Sequence, residues 1–157
     1  MSRADALLAG GIVVGVAAVA AALVSQHVFD MQPCPWCVLQ RLIFLAVAVA
    51  CAVGLAWRSA TGRRVGAGLA LLFAACGVGA ALWQHFVAAK SASCNLTLAD
   101  RVMSASQLDR LLPDVFEARA SCADAAVNLL GIPYAMWSAL AFVVCAVVLV
   151  RILGRSG

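Results

Sequence analysis

The uncharged run from Ala6 to Val28 constrains this chain more than any other feature. A helix that crosses the hydrocarbon core of a bilayer needs about 20 mostly apolar residues, and no charged side chain stands between Asp5 and Asp30. Three further runs meet the same requirement: about 38–57, where Arg41 is the sole charge, about 65–89, uncharged throughout, and about 132–150. The 157 residues are 65% hydrophobic and 11% charged, whereas soluble domains carry about a quarter charged residues. The excess apolar surface is expected to face lipid. Arg3 and the alanines at 20–22 give the first run some likeness to a cleaved signal, but it exceeds the usual apolar core of such a signal. We read it as a retained span. Small residues in the first and third runs (Gly10, Gly11, Gly15, Gly66, Gly68, Gly77, Gly79) suit close helix contact in lipid. The expected fold is an all-α integral membrane protein, a four-helix transmembrane bundle forming one domain over 1–157.

Basic residues in short loops set orientation. Arg58, Arg63 and Arg64 stand between the second and third spans, Arg151 and Arg155 follow the fourth, and Arg3 precedes the first. Both termini and the middle loop are therefore expected in the cytoplasm. The loops at about 29–37 and 90–131 are expected to face outward. The net charge of +4 is small and unclustered, which argues against a nucleic-acid partner.

The seven cysteines sort by this topology. Cys51, Cys76 and Cys145 fall inside spans, where cysteine ordinarily behaves as a small hydrophobe. Cys34 and Cys37 fall in the first outer loop, Cys94 and Cys122 in the second. A bridge across the 28-residue separation of Cys94 and Cys122 could be a structural staple contributing roughly 3–4 kcal/mol, and position alone leaves that reading level with a redox role. The tight Cys-x-x-Cys pair closes too small a ring to be a useful staple; its common uses are metal binding and redox exchange. Cys37 stands where the second span begins, and a helix N-terminus stabilises a thiolate. Pro35 suits a first helical turn.

Arg41 lies one turn deeper, on the same face as Cys37. An arginine near a span end can simply snorkel, but its match to Cys37 favours a cation that stabilises the thiolate or the oxygen of an electron acceptor. His27 and His85 each lie near an outer span end and could reach the same pocket. In the second loop, Leu108, Leu111, Leu112, Val115 and Phe116 form a helical stripe, which Pro113 is expected to split. Such a segment could lie on the membrane surface or form a lid over the bundle.

Two outer cysteine pairs on a four-span chain, with "CPWCVLQR" opening the second span, resemble the DsbB family of disulfide-generating membrane proteins, over nearly the whole chain. The resemblance implies a bacterial inner-membrane protein that reoxidises a DsbA-like periplasmic thiol oxidase and passes two electrons to ubiquinone or menaquinone. It implies catalytic roles for Cys34, Cys37, Cys94 and Cys122. It assigns Arg41 and His85 to the quinone, with no metal. A vitamin K epoxide reductase relative is disfavoured, because its motif is expected near the end of the last helix of the bundle. A four-cysteine metal site would need the widely separated second pair, which lacks a nearby histidine. A non-catalytic scaffold with a stapled loop would leave Arg41 and the tight pair unexplained.

Overall fold

The computed structural model describes residues 2–91 and 97–154. Four helices are long and apolar enough to cross a membrane: α1 (Arg3–Val28), α2 (Pro35–Ala56), α3 (Ala60–Phe86) and α7 (Tyr134–Gly154). Each of the first three starts on a side-chain cap, as an orphan first turn requires. Ser2 and Asp5 form a reciprocal capping box at 3.1 and 2.9 Å. The Ser59 hydroxyl accepts the Gly62 N–H at 2.9 Å. Cys34 itself caps α2, with Pro35 in the first turn.

In the bundle α2 packs between α1 and α3, and α7 closes against α3 and more lightly against α1. Half of the apolar window of α2 is buried inside the protein, against 22% for α1 and 28% for α7. The helix that carries the Cys-x-x-Cys pair is thus the central one. The core is apolar: Phe44 and Phe142 stack at 3.8 Å with ring planes 5° apart, among Leu8, Val47 and Leu149. Large side chains such as Val13, Val16, Leu72 and Val144 point outward, on the surface that lipid would cover.

The span limits differ from the sequence expectation for local reasons. The second starts at Pro35, not near Val38, because Cys34 and Pro35 supply its cap and first turn. The third starts at Ala60, taking Arg63 and Arg64 into the helix, and Arg63 pairs with Asp5 at 3.3 Å. That pair brings the starts of α1 and α3 together at the arginine end of the bundle. The fourth starts at Tyr134 because Ile132–Pro133 (β2) pairs antiparallel with Asn128–Leu129 (β1). Leu130 and Gly131 make the turn with φ of 55° and 79°, as a tight two-residue hairpin requires.

The second cysteine loop holds α4 (Leu98–Ser106), α5 (Leu108–Leu111) and α6 (Pro113–Phe116). The break before Pro113 falls where expected; α4, capped by Thr97 and Asp100, was not anticipated. The apolar stripe divides: Phe116 is buried with Val38 and Met103, whereas Leu111 and Leu112 are exposed.

The α2–α3 contact is tightest where Gly54 faces Gly66: a Cβ on Gly66 would lie 2.5 Å from the Gly54 Cα and 2.8 Å from the Ala50 carbonyl oxygen. Backbone atoms cannot yield as a side chain can. We expect Gly66→Ala to destabilise the protein by about 1–3 kcal/mol. Gly68→Ala, where a Cβ would meet nothing within 4 Å, should cause no loss. Unfolding midpoints in detergent check both.

Candidate functional site

The site grows out of the first turn of α2. Cys34 has extended backbone at the cap position, and its sulfur accepts the Cys37 N–H at 3.3 Å. That geometry turns both side chains toward each other, with the two Sγ atoms 2.8 Å apart. Cys34 is 0% exposed, while Cys37 is half-buried.

Cys122 arrives from the second loop. The backbone N–H groups of Arg119 and Ala120 both donate to the Pro33 carbonyl, at 2.9 and 3.2 Å, so the two cysteine loops are knitted together one residue before Cys34. A turn held by Ser121 and Asp124 follows. Cys122 is thereby packed against Cys34 within hydrogen-bonding reach. The three sulfurs form a row with Cys34 in the middle. Hydrogen bonding to Cys122 and Cys37, then burial, pushes the Cys34 thiol well up from its ordinary range. Cys122 is shifted down, chiefly by the hydrogen bond from Cys34, with a further contribution from the Trp36 N–H and against the effect of burial. Cys94 lies outside the described residues.

Arg41 is 5% exposed. Its guanidinium donates to Gln26 Oε1 at 2.7 Å, to the Val115 carbonyl at 2.8 Å and to the Ala22 carbonyl at 3.5 Å. Gln26 Nε2 donates in turn to the Asp114 carbonyl at 3.3 Å. Arg41 therefore ties α1, α2 and the second cysteine loop together, rather than snorkelling to the surface. It borders a cavity of about 290 Å³, lined by Cys37, Gln40, Arg41 and Gln84, by the hydroxyl residues Ser25, Tyr134 and Ser138, and elsewhere by apolar residues such as Phe44 and Ala141. Cys37 and Arg41 also border a cleft of about 530 Å³ between the two loops, so Cys37 is approachable from loop and bundle alike.

The structure thus brings Cys34, Cys37, Cys122 and Arg41 together. His85 is not among the residues lining the cavity; its ring is set edge-on against Phe86 at 4.8 Å. The α3 side chain that enters is its neighbour Gln84, since successive helical residues point about 100° apart. Gln84 Nε2 donates to Cys37 Sγ at 3.1 Å, and Gln40 Nε2 donates to Gln84 Oε1 at 2.5 Å. Sequence reasoning passed over Gln26, Gln40 and Gln84 because it weighed only ionisable groups. Large amides near the ends of apolar spans were the available signal. Cys51 and Cys145 are buried in the core and Cys76 is exposed on the bundle surface, all away from this row.

Membrane-spanning helices and a row of thiols at one end of them define a class: integral-membrane thiol–disulfide oxidoreductases. A family model described as "Disulfide bond formation protein DsbB" matches residues 4–152. The chain is 34% identical over 133 residues to Disulfide bond formation protein B of Herminiimonas arsenicoxydans, covering 84% of each chain. It is 34% identical over 144 residues to the protein of that name from Burkholderia pseudomallei, covering 90% of this chain and 85% of the relative. A third such protein, from Stutzerimonas stutzeri, is 32% identical over 134 residues, covering 83% of this chain and 82% of the relative. The chain belongs to the DsbB family. It is a multi-pass membrane protein and a disulfide-generating oxidoreductase.

The opposite shifts of Cys34 and Cys122 give an order of reactivity. A lowered thiol pKa keeps a thiolate at neutral pH, and a raised one removes it. In the reduced protein, with Cys94→Ser to remove a competitor, Cys122 should be alkylated by iodoacetamide at pH ~7 at least roughly tenfold faster than Cys34. Peptide mass spectrometry reads the order.

Proposed function

We propose that this protein is a thiol:quinone oxidoreductase. In this reading it reoxidises a DsbA-like thioredoxin-fold dithiol partner and delivers the electrons to ubiquinone or menaquinone in a bacterial inner membrane. Both termini lie in the cytoplasm and the cysteine loops in the periplasm. The observation that carries it is the row Cys122–Cys34–Cys37 ending beside Arg41 at a cavity inside the bundle. The basic residues gathered in the α2–α3 connection and near both termini support the orientation.

As far as Cys37 the electron path uses only thiol–disulfide exchange. A partner thiolate attacks the Cys94–Cys122 disulfide, and Cys94 forms the mixed disulfide. The second partner thiol releases oxidised partner and leaves Cys94 and Cys122 as two thiols. The Cys122 thiolate then attacks Cys34, the Cys34–Cys37 bond breaks, and its electron pair goes to Cys37. Attack of Cys94 on Cys122 restores the loop disulfide and leaves Cys34 and Cys37 reduced. During the attack on Cys34 no Cys34 S–H exists, and the backbone N–H of Trp36 is the donor that stays with Cys122.

Quinone, when bound, accepts two electrons and two protons. The cavity suits its head group: the walls are mainly apolar, and a buried guanidinium and two amides stand beside the terminal sulfur. Arg41 would hold an oxygen that gains charge. His85 remains our candidate for a second polar contact, which its ring would make by leaving Phe86.

Purified protein in detergent, mixed with reduced partner and a soluble ubiquinone analogue, should consume quinone catalytically. Cys37→Ser should abolish this. Absence of turnover in folded wild type, with partner and quinone shown competent, would sink the reading. Arg41→Ala should slow the quinone half-reaction by roughly tenfold or more, about 1.4 kcal/mol of lost charge stabilisation, and slow partner exchange less. Equal losses would assign Arg41 to loop docking alone.

A further inference from the structure

Gln40 and Gln84 are 3% and 4% exposed where α2 meets α3. An unpaired buried amide is costly, and here the pairing has a direction. Gln40 Nε2 donates to Gln84 Oε1 at 2.5 Å, which commits that oxygen and turns the Gln84 amide nitrogen toward Cys37 Sγ, 3.1 Å away. Gln40 follows Cys37 by three residues and so shares its helix face. Both amides line the same cavity as Cys37. The hydrogen bonds of Arg41 go instead to Gln26, Val115 and Ala22. The charge of Arg41 therefore acts on Cys37 across space, while the side-chain amide that touches the sulfur belongs to Gln84.

We infer that Gln84 is a catalytic residue that donates a hydrogen bond to the Cys37 thiolate, and that Gln40 is a positioning residue that holds the Gln84 amide in the donating orientation. The inference rests on the reading of Cys37 as the thiolate that faces the electron acceptor. When the Cys34–Cys37 bond is opened by attack on Cys34, its electron pair collects on Cys37. A neutral sulfur is a weak acceptor, and a thiolate is a much stronger one. The Gln84 N–H meets Cys37 Sγ with the pair open, as it stands after the charge has arrived, so it stabilises the product of opening more than the disulfide. Coupled amides polarise each other, so Gln40 strengthens the donor as well as aiming it.

The test needs neither quinone nor partner. Full-length protein, freed of quinone and reduced in detergent, is alkylated with iodoacetamide across a range of pH. Modification of Cys37 is followed by peptide mass spectrometry. Gln84→Met should move the midpoint for Cys37 upward by about one to two pH units, the size expected for one hydrogen bond to a charged group. Gln40→Met should move it the same way by less. An unchanged Cys37 profile in folded Gln84→Met protein would overturn the inference. Should Gln84→Met fail to fold, Gln84→Ala removes the donor without adding bulk; it should raise the midpoint as far, and no shift would be equally decisive against us. These shifts in the variants, together with a wild type that reduces no quinone, would leave the Gln84 contact standing and remove the quinone reading.

Discussion

A guanidinium held inside an apolar bundle must find acceptors, and Arg41 finds them in three places. Arginine stays charged in proteins, and a buried charge without hydrogen-bond partners is strongly unfavourable. Among the described residues the acceptors of Arg41 are all neutral: the Gln26 side chain on α1 and the backbone carbonyls of Val115 and Ala22. Neutral acceptors leave the positive charge uncancelled. The same bonds draw the second cysteine loop onto the ends of α1 and α2. Loop position and local field therefore come from one side chain.

The sulfur row depends on that seating. Cys34 and Cys37 are arranged by the start of α2 alone, through cap, proline and helical spacing. Cys122 is not local: it reaches Cys34 because Arg119 and Ala120 bond to Pro33 and because α6 is anchored three residues upstream of Arg119. A short-range motif and a long-range docking thus meet at one buried sulfur.

What the sequence made readable was whatever rests on local chemistry. The four spans followed from apolar runs with at most one charge, the split at Pro113 from its missing N–H, and the close cysteine pair from its spacing and its place before an apolar run. What escaped depended on side-chain direction or on distant contacts. His85 and Gln84 are adjacent, and only the rotation of α3 in the bundle decides which of them enters the cavity. The hairpin before α7 was hidden because Ile132 and Pro133 extend an apolar run, although Leu130–Gly131 is where the chain reverses. The bond between Gln26 and Arg41 joins residues on different helices, and no periodicity announces it.

The complete burial of Cys34 has a consequence for insulation. Cys34 lies in an apolar cluster with Trp36, Leu39 and Ala99, against which Cys37 and Cys122 pack. Small soluble thiols, however abundant, have no direct approach to the Cys34 sulfur, whereas the half-buried Cys37, which borders the loop cleft, stays open to them. In the proposed path electrons enter at Cys122, carried in by its loop, and leave at Cys37. The packing around one sulfur acts as the sheath of a wire, covering its middle and leaving chemistry to its two ends.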